Sequence, residues 1–317
     1  MIPAIVLTAG LATRLRPLSL VRAKAALPVA GQPLVTHILG RLARAGVTEA
    51  VLNLHHLPAT LTSRLGDGTD LGIRLRYSWE APQVLGSAGG PRKALSLLDT
   101  TTALIVNGDT LTDVDIAALL DDHRRSGALV TMAVVPNTRP DRYSGLAADA
   151  AGNFIGVVAR GASTPSFHFV GVQVVEAAAF ASLDEGTPAD VLKGLYQALV
   201  QQRPDAVRIR VCDTPFLDIG TAEDYVSTCR AMGSTDGLVE CGVRTRIDPR
   251  AQLQDVIVWD DVDIGPDTSL RHVVVTDGVR VPAGSRWSDV ILRPANGEPD
   301  RDEQVLGNLF VSALQQS

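Results

Sequence analysis

Residues 4–18 read "AIVLTAGLATRLRPL". The opening "AIVLTA" (4–9) is uncharged and apolar, the pattern of a fully buried strand. Gly10 then turns the chain. Arg14 and Arg16 follow, with Lys24 a little beyond. Backbone N–H groups exposed by a glycine turn after a strand can cradle phosphate oxygens, and Arg14 adds a permanently charged fork of donors. The stretch lacks the Gly-Lys-Ser/Thr of a Walker A loop and lacks G-x-G-x-x-G. Taken alone, it reads equally as a strand–loop–helix turn with solvated arginines.

The chain downstream continues the alternation. Helical spacing runs through "LVTHILGRLARAGV" (34–47), "LPATLTSRLGDG" (57–68) and "VDIAALLDDHRRSG" (114–127). "GGPRKALSLL" (89–98) reads as a further helix with Pro91 suited to its first turn. Strands are expected at "EAVLNLH" (49–55), "IRLRYSW" (73–79), "TALIVNGD" (102–109) and "ALVTMAVV" (128–135). Strands alternating with helices imply parallel βαβ units, which bind ligands beyond the carboxyl ends of their strands. Gly10, His55, Glu80 and Asp109 are thereby expected near one rim. From about 143 to 175 short alternating runs replace the helices, predicting a β-rich insertion. A helix at 189–202, a strand at 206–213 and a helix at 221–232 with Thr221 as its cap close this part.

Residues 235–294 follow another rule. At a spacing of 17, Ile247, Ile264 and Val281 align, as do Leu253, Leu270 and Trp287, and Ile257, Val274 and Ile291. So short a repeat, without helical period, fits a parallel β-helix of about three coils; a small antiparallel sheet is the alternative. Two domains follow, 1–233 and 234–317.

Bulk properties narrow the class. A net charge of −6 over 317 residues argues against a general nucleic-acid binder, though not against a small anionic ligand. Cys212, Cys229 and Cys241 show no CxxC spacing, so reduced thiols in a cytoplasmic protein are expected. Neither a signal peptide nor a membrane-spanning run is expected. "VNGD" and "FLDIG" end apolar runs at Asp109 and Asp218. Singly, each reads as a turn or cap aspartate; as a pair beside a cationic loop they suit Mg²⁺, which takes one or two carboxylates plus substrate phosphates and water.

"IVLTAGLATRLRPLS", "KAALPVAGQPL", "RLARAGV", "VLGSAGG", "VNGD", "FVGVQV" and "FLDIGTAEDY" stand in the order and spacing of the sugar-1-phosphate nucleotidylyltransferases, which this sequence resembles over about residues 3–230. The nearest branch contains mannose-1-phosphate guanylyltransferases and N-acetylmuramate-1-phosphate uridylyltransferases. The resemblance implies a Rossmann-like α/β domain with a mixed, mostly parallel sheet, and a short C-terminal left-handed parallel β-helix. It implies transfer of a nucleoside monophosphate from an NTP to a sugar 1-phosphate, with pyrophosphate leaving. Arg14 would hold the triphosphate, Lys24 would contact phosphates, and Asp109 and Asp218 would carry Mg²⁺. Leu7, Ala9, Gly10, Leu11, Ala12 and Thr13 would line the nucleotide, and Glu80, Gly86 and Ser87 would lie where the base is read. Asn107, Gly108, Gly171 and Arg160 would face the sugar phosphate. Glu80 and the tail point to GTP; UTP or dTTP is the alternative, and a non-catalytic nucleotide-sugar-binding homologue is another. A homo-oligomer through the β-helix is expected. Three departures stand out: Ala12 replaces the family's second glycine, Ala23 replaces the proline before Lys24, and a Glu-Lys-Pro motif is missing.

Overall fold

The computed structural model describes residues 2–233 and 238–314. The expected boundary at 233/234 and the first residues of the repeat region fall against or within 234–237, outside the described residues. The chain groups into two compact units. One holds residues 1–10, 36–58 and 62–217; the other holds 11–35, 59–61 and 218–317. The loop after Gly10 therefore groups with the C-terminal residues.

The first unit is built on a mixed sheet. Its parallel part comprises β1 (Ala4–Leu7), β2 (Glu49–Leu54), β3 (Arg74–Trp79) and β4 (Thr102–Asn107), in the order β3-β2-β1-β4. Between them the chain forms α1 (Leu34–Arg44), α2 (Ala59–Leu65) and α3 (Gly86–Leu95). Ala4, Ile5 and Val6 have no exposed surface, as central parallel strands covered on both faces require. After α4 (Ile116–Ser126) come β5 (Val130–Pro136), β6 (Gly145–Ala148), β7 (Phe154–Val158) and β8 (Phe167–Glu176). Strand β8 runs antiparallel to β4, β5 and β6, and this is the β-rich insertion. Strand β9 (Val207–Val211) returns parallel to β5. Phe154, Phe180 and Tyr196 are fully buried against Ile5, Ile105 and Met132; each apolar side chain of that size contributes about 1.5–3 kcal/mol on burial.

Two helices differ from expectation. Helix α3 begins at Gly86, not at residue 89, so Pro91 lies in its interior. The early start is made by a distant partner: the Ala88 N–H donates to Ala189 O (2.9 Å) and the Ala189 N–H donates to Leu85 O (3.0 Å). The helix expected at 189–202 is a π-helical turn, Val191–Tyr196, running into α5 (Gln197–Gln202).

In the second unit α6 (Ala222–Met232) opens with a capping box. Thr221 accepts from the Asp224 N–H, and the Asp224 carboxylate accepts from the Thr221 N–H. Four strands then stack in parallel: β10 (Leu238–Cys241), β11 (Gln252–Val258), β12 (Ser269–Val275) and β13 (Arg286–Pro294). All three registers read from the sequence are observed. Leu253 pairs with Leu270 and Leu270 with Trp287; Ile257 pairs with Val274 and Val274 with Ile291. A second ladder pairs Ile247 with Ile264 and Ile264 with Val281. Each rung thus advances 17 residues, and the antiparallel alternative is excluded for these strands.

Corners repeat too. Arg244, Asp261 and Gly278 have positive φ (56°, 59°, 71°), as do Asp255, His272 and Asp289 (60°, 55°, 58°). His272 is a corner residue whose Nδ1 lies 2.9 Å from Asp289 Oδ1. Antiparallel β14 (Gln304–Leu306) and β15 (Leu309–Ala313) close the sheet beside β13.

Candidate active site

In the first unit, parallel register aligns three strand ends. Leu7 stands opposite Asn53 on one side and Asn107 on the other. Beyond it, the Thr8 N–H donates to Asn53 Oδ1 (2.7 Å), and the Gly108 N–H donates to Leu7 O (2.9 Å). The segments carrying Ala9, Gly10 and Asp109 therefore leave the sheet side by side. Asp109 is partly exposed, and its Oδ1 accepts from Thr110 Oγ1 (3.2 Å).

Gly171 sits at a bulge in β8 with φ +79°, and a Cβ there would stand 2.9 Å from Asn107 Cβ. A side chain at 171 is excluded both by backbone conformation and by Asn107. Asn107 and Gly171, both expected toward the sugar phosphate, are thus brought together. Arg160 is exposed, in a turn closed by the Gly161 N–H donating to Pro140 O (2.7 Å).

Glu80 does not present the free acceptor expected of a base-reading side chain. It is 2% exposed. Its Oε1 accepts from Asn53 Nδ2 (2.7 Å) and its Oε2 from the Leu85 N–H (2.6 Å). A buried carboxylate needs such donors to offset its desolvation, so Glu80 braces the loop that leads to Gly86. That loop is fixed again by Gly86, whose φ is +75° and where a Cβ would meet Ala189 O at 2.8 Å. Ser87 Oγ accepts from the Val191 N–H (2.9 Å). Asn53, 3% exposed and bridging Thr8 to Glu80, was missed by sequence reasoning; a polar residue inside the apolar run "AVLNL" was its signal.

His168 lies between Tyr143 and Phe216, with ring centroids 4.3 and 4.7 Å away. Burial lowers its pKa to about 4, with Arg142 adding to the shift, so the ring is neutral at pH 7.

The second unit carries the cationic loop. Leu11 is exposed, and Ala12 adopts φ 49°, ψ 43° ahead of a 3₁₀ turn, Thr13–Leu15. Arg14 is exposed and projects toward the residues after Asp218. Both of its terminal nitrogens lie 3.6 Å from where a Cβ on Gly220 would stand. Gly220 is itself held by its N–H on Asp224 Oδ2 (3.1 Å), so the capping box of α6 fixes the segment that Arg14 faces. A cavity of about 580 Å³ is lined there by Thr13, Arg14, Arg16, Thr221 and the loop of Asp300. Arg16 pairs with Asp300 across it (3.2 Å).

Two of the three departures from the family pattern acquire physical content. Ala12 occupies the left-handed region, which costs a non-glycine residue about 1–2 kcal/mol. Ala12→Gly is therefore expected to raise the unfolding free energy of this unit by about 1 kcal/mol in urea denaturation; no change would show the conformation to be unstrained. Ala23, at φ −55° and ψ 145°, already has the backbone of the proline it replaces. Its N–H, which proline lacks, donates to Thr60 Oγ1 (3.1 Å). The segment is thus tied by a bond that proline could not make, and it delivers the partly exposed Lys24.

No group of three or more His, Cys, Asp or Glu side chains able to hold a metal occurs among the described residues. Nor, among them, is any helix long and apolar enough to cross a membrane.

A family model described as nucleotidyl transferase matches residues 3–234. Mannose-1-phosphate guanylyltransferase of Mycobacterium tuberculosis is 32% identical over 297 residues, covering 89% of this chain and 82% of the relative. N-acetylmuramate alpha-1-phosphate uridylyltransferase of Neisseria meningitidis serogroup B is 44% identical over 115 residues, 36% of this chain and 50% of the relative. Among solved structures, HddC from Yersinia pseudotuberculosis superposes with a TM-score of 0.64 at 19% identity, over 74% of this chain and 100% of that one; this likeness concerns the fold. The chain belongs to the nucleotidyl transferase family, as one of its sugar-1-phosphate nucleotidylyltransferases.

Proposed function

We propose that the protein transfers GMP from GTP to a hexose 1-phosphate of the mannose 1-phosphate type, giving a GDP-sugar and pyrophosphate. The observation that carries this choice is the degree of likeness along the full chain. The M. tuberculosis guanylyltransferase is 32% identical over 297 residues, whereas UTP--glucose-1-phosphate uridylyltransferase of Synechocystis is 26% identical over 296, and the N-acetylmuramate alpha-1-phosphate uridylyltransferase matches over only 115. With its carboxylate engaged by Asn53 and Leu85, Glu80 lends the base choice no direct support.

In this reading a sugar-phosphate oxygen attacks the α-phosphorus in line. The bond from that phosphorus to the bridging oxygen breaks, and pyrophosphate leaves. No protein nucleophile is required, so catalysis is positioning and neutralisation of charge. Arg14, a forked and permanent cation on the loop, holds the triphosphate and stabilises the departing pyrophosphate. Lys24 contacts phosphate oxygens. Backbone groups from Leu7 and Ala9 to Thr13 line the nucleotide, with Gly86 and Ser87 on the base side. Asn107, Gly108, Gly171 and Arg160 serve the sugar phosphate.

Asp109 and Asp218 offer the hard carboxylate oxygens that Mg²⁺ prefers. Two carboxylates completed by phosphates and water suffice for that ion. When bound, Mg²⁺ neutralises phosphate charge. The stacked coils form a left-handed parallel β-helix in this reading, supported by the 17-residue rungs and repeating corners, and copies of the chain associate through it.

The test is a comparison of kcat/KM for GTP, UTP, dTTP and ATP with mannose 1-phosphate, followed by other hexose 1-phosphates. GTP is expected to lead by at least about 10-fold, the discrimination that one or two base-specific hydrogen bonds supply. A lead for UTP would overturn the base assignment while leaving the reaction class intact.

A further inference from the structure

Arg22 has no part in the chemistry above, yet it is 4% exposed, within the cationic loop region of an acidic protein. Its Nε donates to Asp277 Oδ2 (2.7 Å). Its Nη2 donates to Asp277 Oδ1 (2.5 Å) and Asp260 Oδ2 (2.7 Å). The guanidinium carbon lies 5.2 Å from the centroid of the Trp259 ring, in cation–π range. Asp260 and Asp277 are the same position in successive coils, 17 residues apart. Each is fixed to coil backbone: Asp260 Oδ1 accepts from the Val243 N–H (2.9 Å), and Asp277 Oδ1 from the Asp260 N–H (3.0 Å). Trp259 is fully buried and donates Nε1–H to Tyr225 Oη (2.9 Å), whose own hydroxyl donates to Pro28 O (2.8 Å). The Gly31 N–H donates to buried Glu240 (2.7 Å).

We infer that Arg22 is a positioning residue for nucleotidyl transfer, fixing the segment that carries Lys24 to two successive coils. The inference rests on the reading of Lys24 as a phosphate contact. A planar fork held by two carboxylates and faced by a ring has its orientation defined as well as its place. Lys24 follows two residues later, after an alanine whose N–H is bonded to Thr60. The coils thereby set where the Lys24 ammonium stands. This gives the 17-residue repeat a role in the reaction, because a single coil supplies only one of the two carboxylates.

A purely structural Arg22 and a positioning Arg22 differ in their coupling to Lys24. Four full-length proteins decide between them: wild type, Arg22→Lys, Lys24→Ala and the double variant. Each is assayed with GTP, mannose 1-phosphate and Mg²⁺ at 25 °C, after near-ultraviolet circular dichroism shows native packing. Arg22→Lys keeps the charge but loses the fork. It is expected to lower kcat by about 10- to 100-fold, the scale of a misplacement near 1 Å, with KM for the sugar phosphate unchanged. In the Lys24→Ala background the same substitution is expected to change kcat by less than about twofold, because residues acting as a unit are not additive. Asp277→Asn, whose side chain is 30% exposed, replaces Arg22→Lys in the cycle if the latter does not fold. Multiplying losses in the double variant, with Lys24→Ala impaired, would overturn the inference alone. Full turnover by Lys24→Ala would overturn the reading of Lys24, and this inference with it.

Discussion

Asp109→Asn is expected to lower kcat by about 10²–10³, the cost of removing one preorganised electrostatic group, while the fold persists. Asparagine has the shape of aspartate without its charge, and the Oδ1 that accepts from Thr110 Oγ1 is retained. Asp109 is partly exposed and follows the end of β4, outside the buried core. The Mg²⁺ concentration giving half-maximal rate is expected to rise together with the fall in kcat, since one of two proposed carboxylates has gone. Steady-state rates across a Mg²⁺ titration read both effects. Unchanged turnover would remove Asp109 from the metal role.

The largest expected effect on stability comes from Glu303→Ala, in the C-terminal part of the second unit. The side chains of Arg293 and Glu303 are 7% and 1% exposed, and Arg293 donates to both Glu303 oxygens through Nε and Nη2. Glu303 Oε2 also accepts from the Asp300 N–H (2.7 Å), and the Arg293 guanidinium carbon lies 4.3 Å from the Phe310 ring centroid. Removing the carboxylate leaves a buried guanidinium without a counter-charge, held only by the Glu298 carbonyl (3.1 Å from Nη2) and the Phe310 ring, and loss of one partner of a buried ion pair costs about 3–5 kcal/mol. Urea unfolding followed by fluorescence measures it, since Trp259 and Trp287 report on this unit. An unchanged midpoint would contradict the burial of the pair. The same change frees the loop of Asp300, to which Arg16 is paired.

What the sequence revealed divides along physical lines. Central strands such as "AIVL" were legible because a strand covered on both faces must be apolar throughout. The coils were legible because equivalent positions stack directly, so one shape requirement recurs as Ile247, Ile264 and Val281. Thr221 as a cap followed from local chemistry alone. What escaped depended on partners far along the chain. Helix α3 starts at Gly86 because of backbone bonds to Ala189, and no local pattern contains them. Trp79, the last residue of the strand expected at 73–79, is 53% exposed on edge strand β3; alternation gives a residue's face but not whether a layer covers that face. Glu80, expected to read the base, has both its oxygens engaged by Asn53 and the Leu85 N–H, partners that no local pattern reveals. Arg22 finds its carboxylates 238 and 255 residues away, so a cationic loop concealed a buried anchor.

The family relation rests on the whole series of motifs, and the reaction is most directly tested by following phosphorus. The purified full-length chain, incubated with Mg²⁺, GTP and mannose 1-phosphate, is monitored by ³¹P NMR. Equal amounts of pyrophosphate and a GDP-sugar are expected to appear as both substrates are consumed. No pyrophosphate with any combination of NTP and hexose 1-phosphate would contradict the assignment of this chain as a working nucleotidylyltransferase.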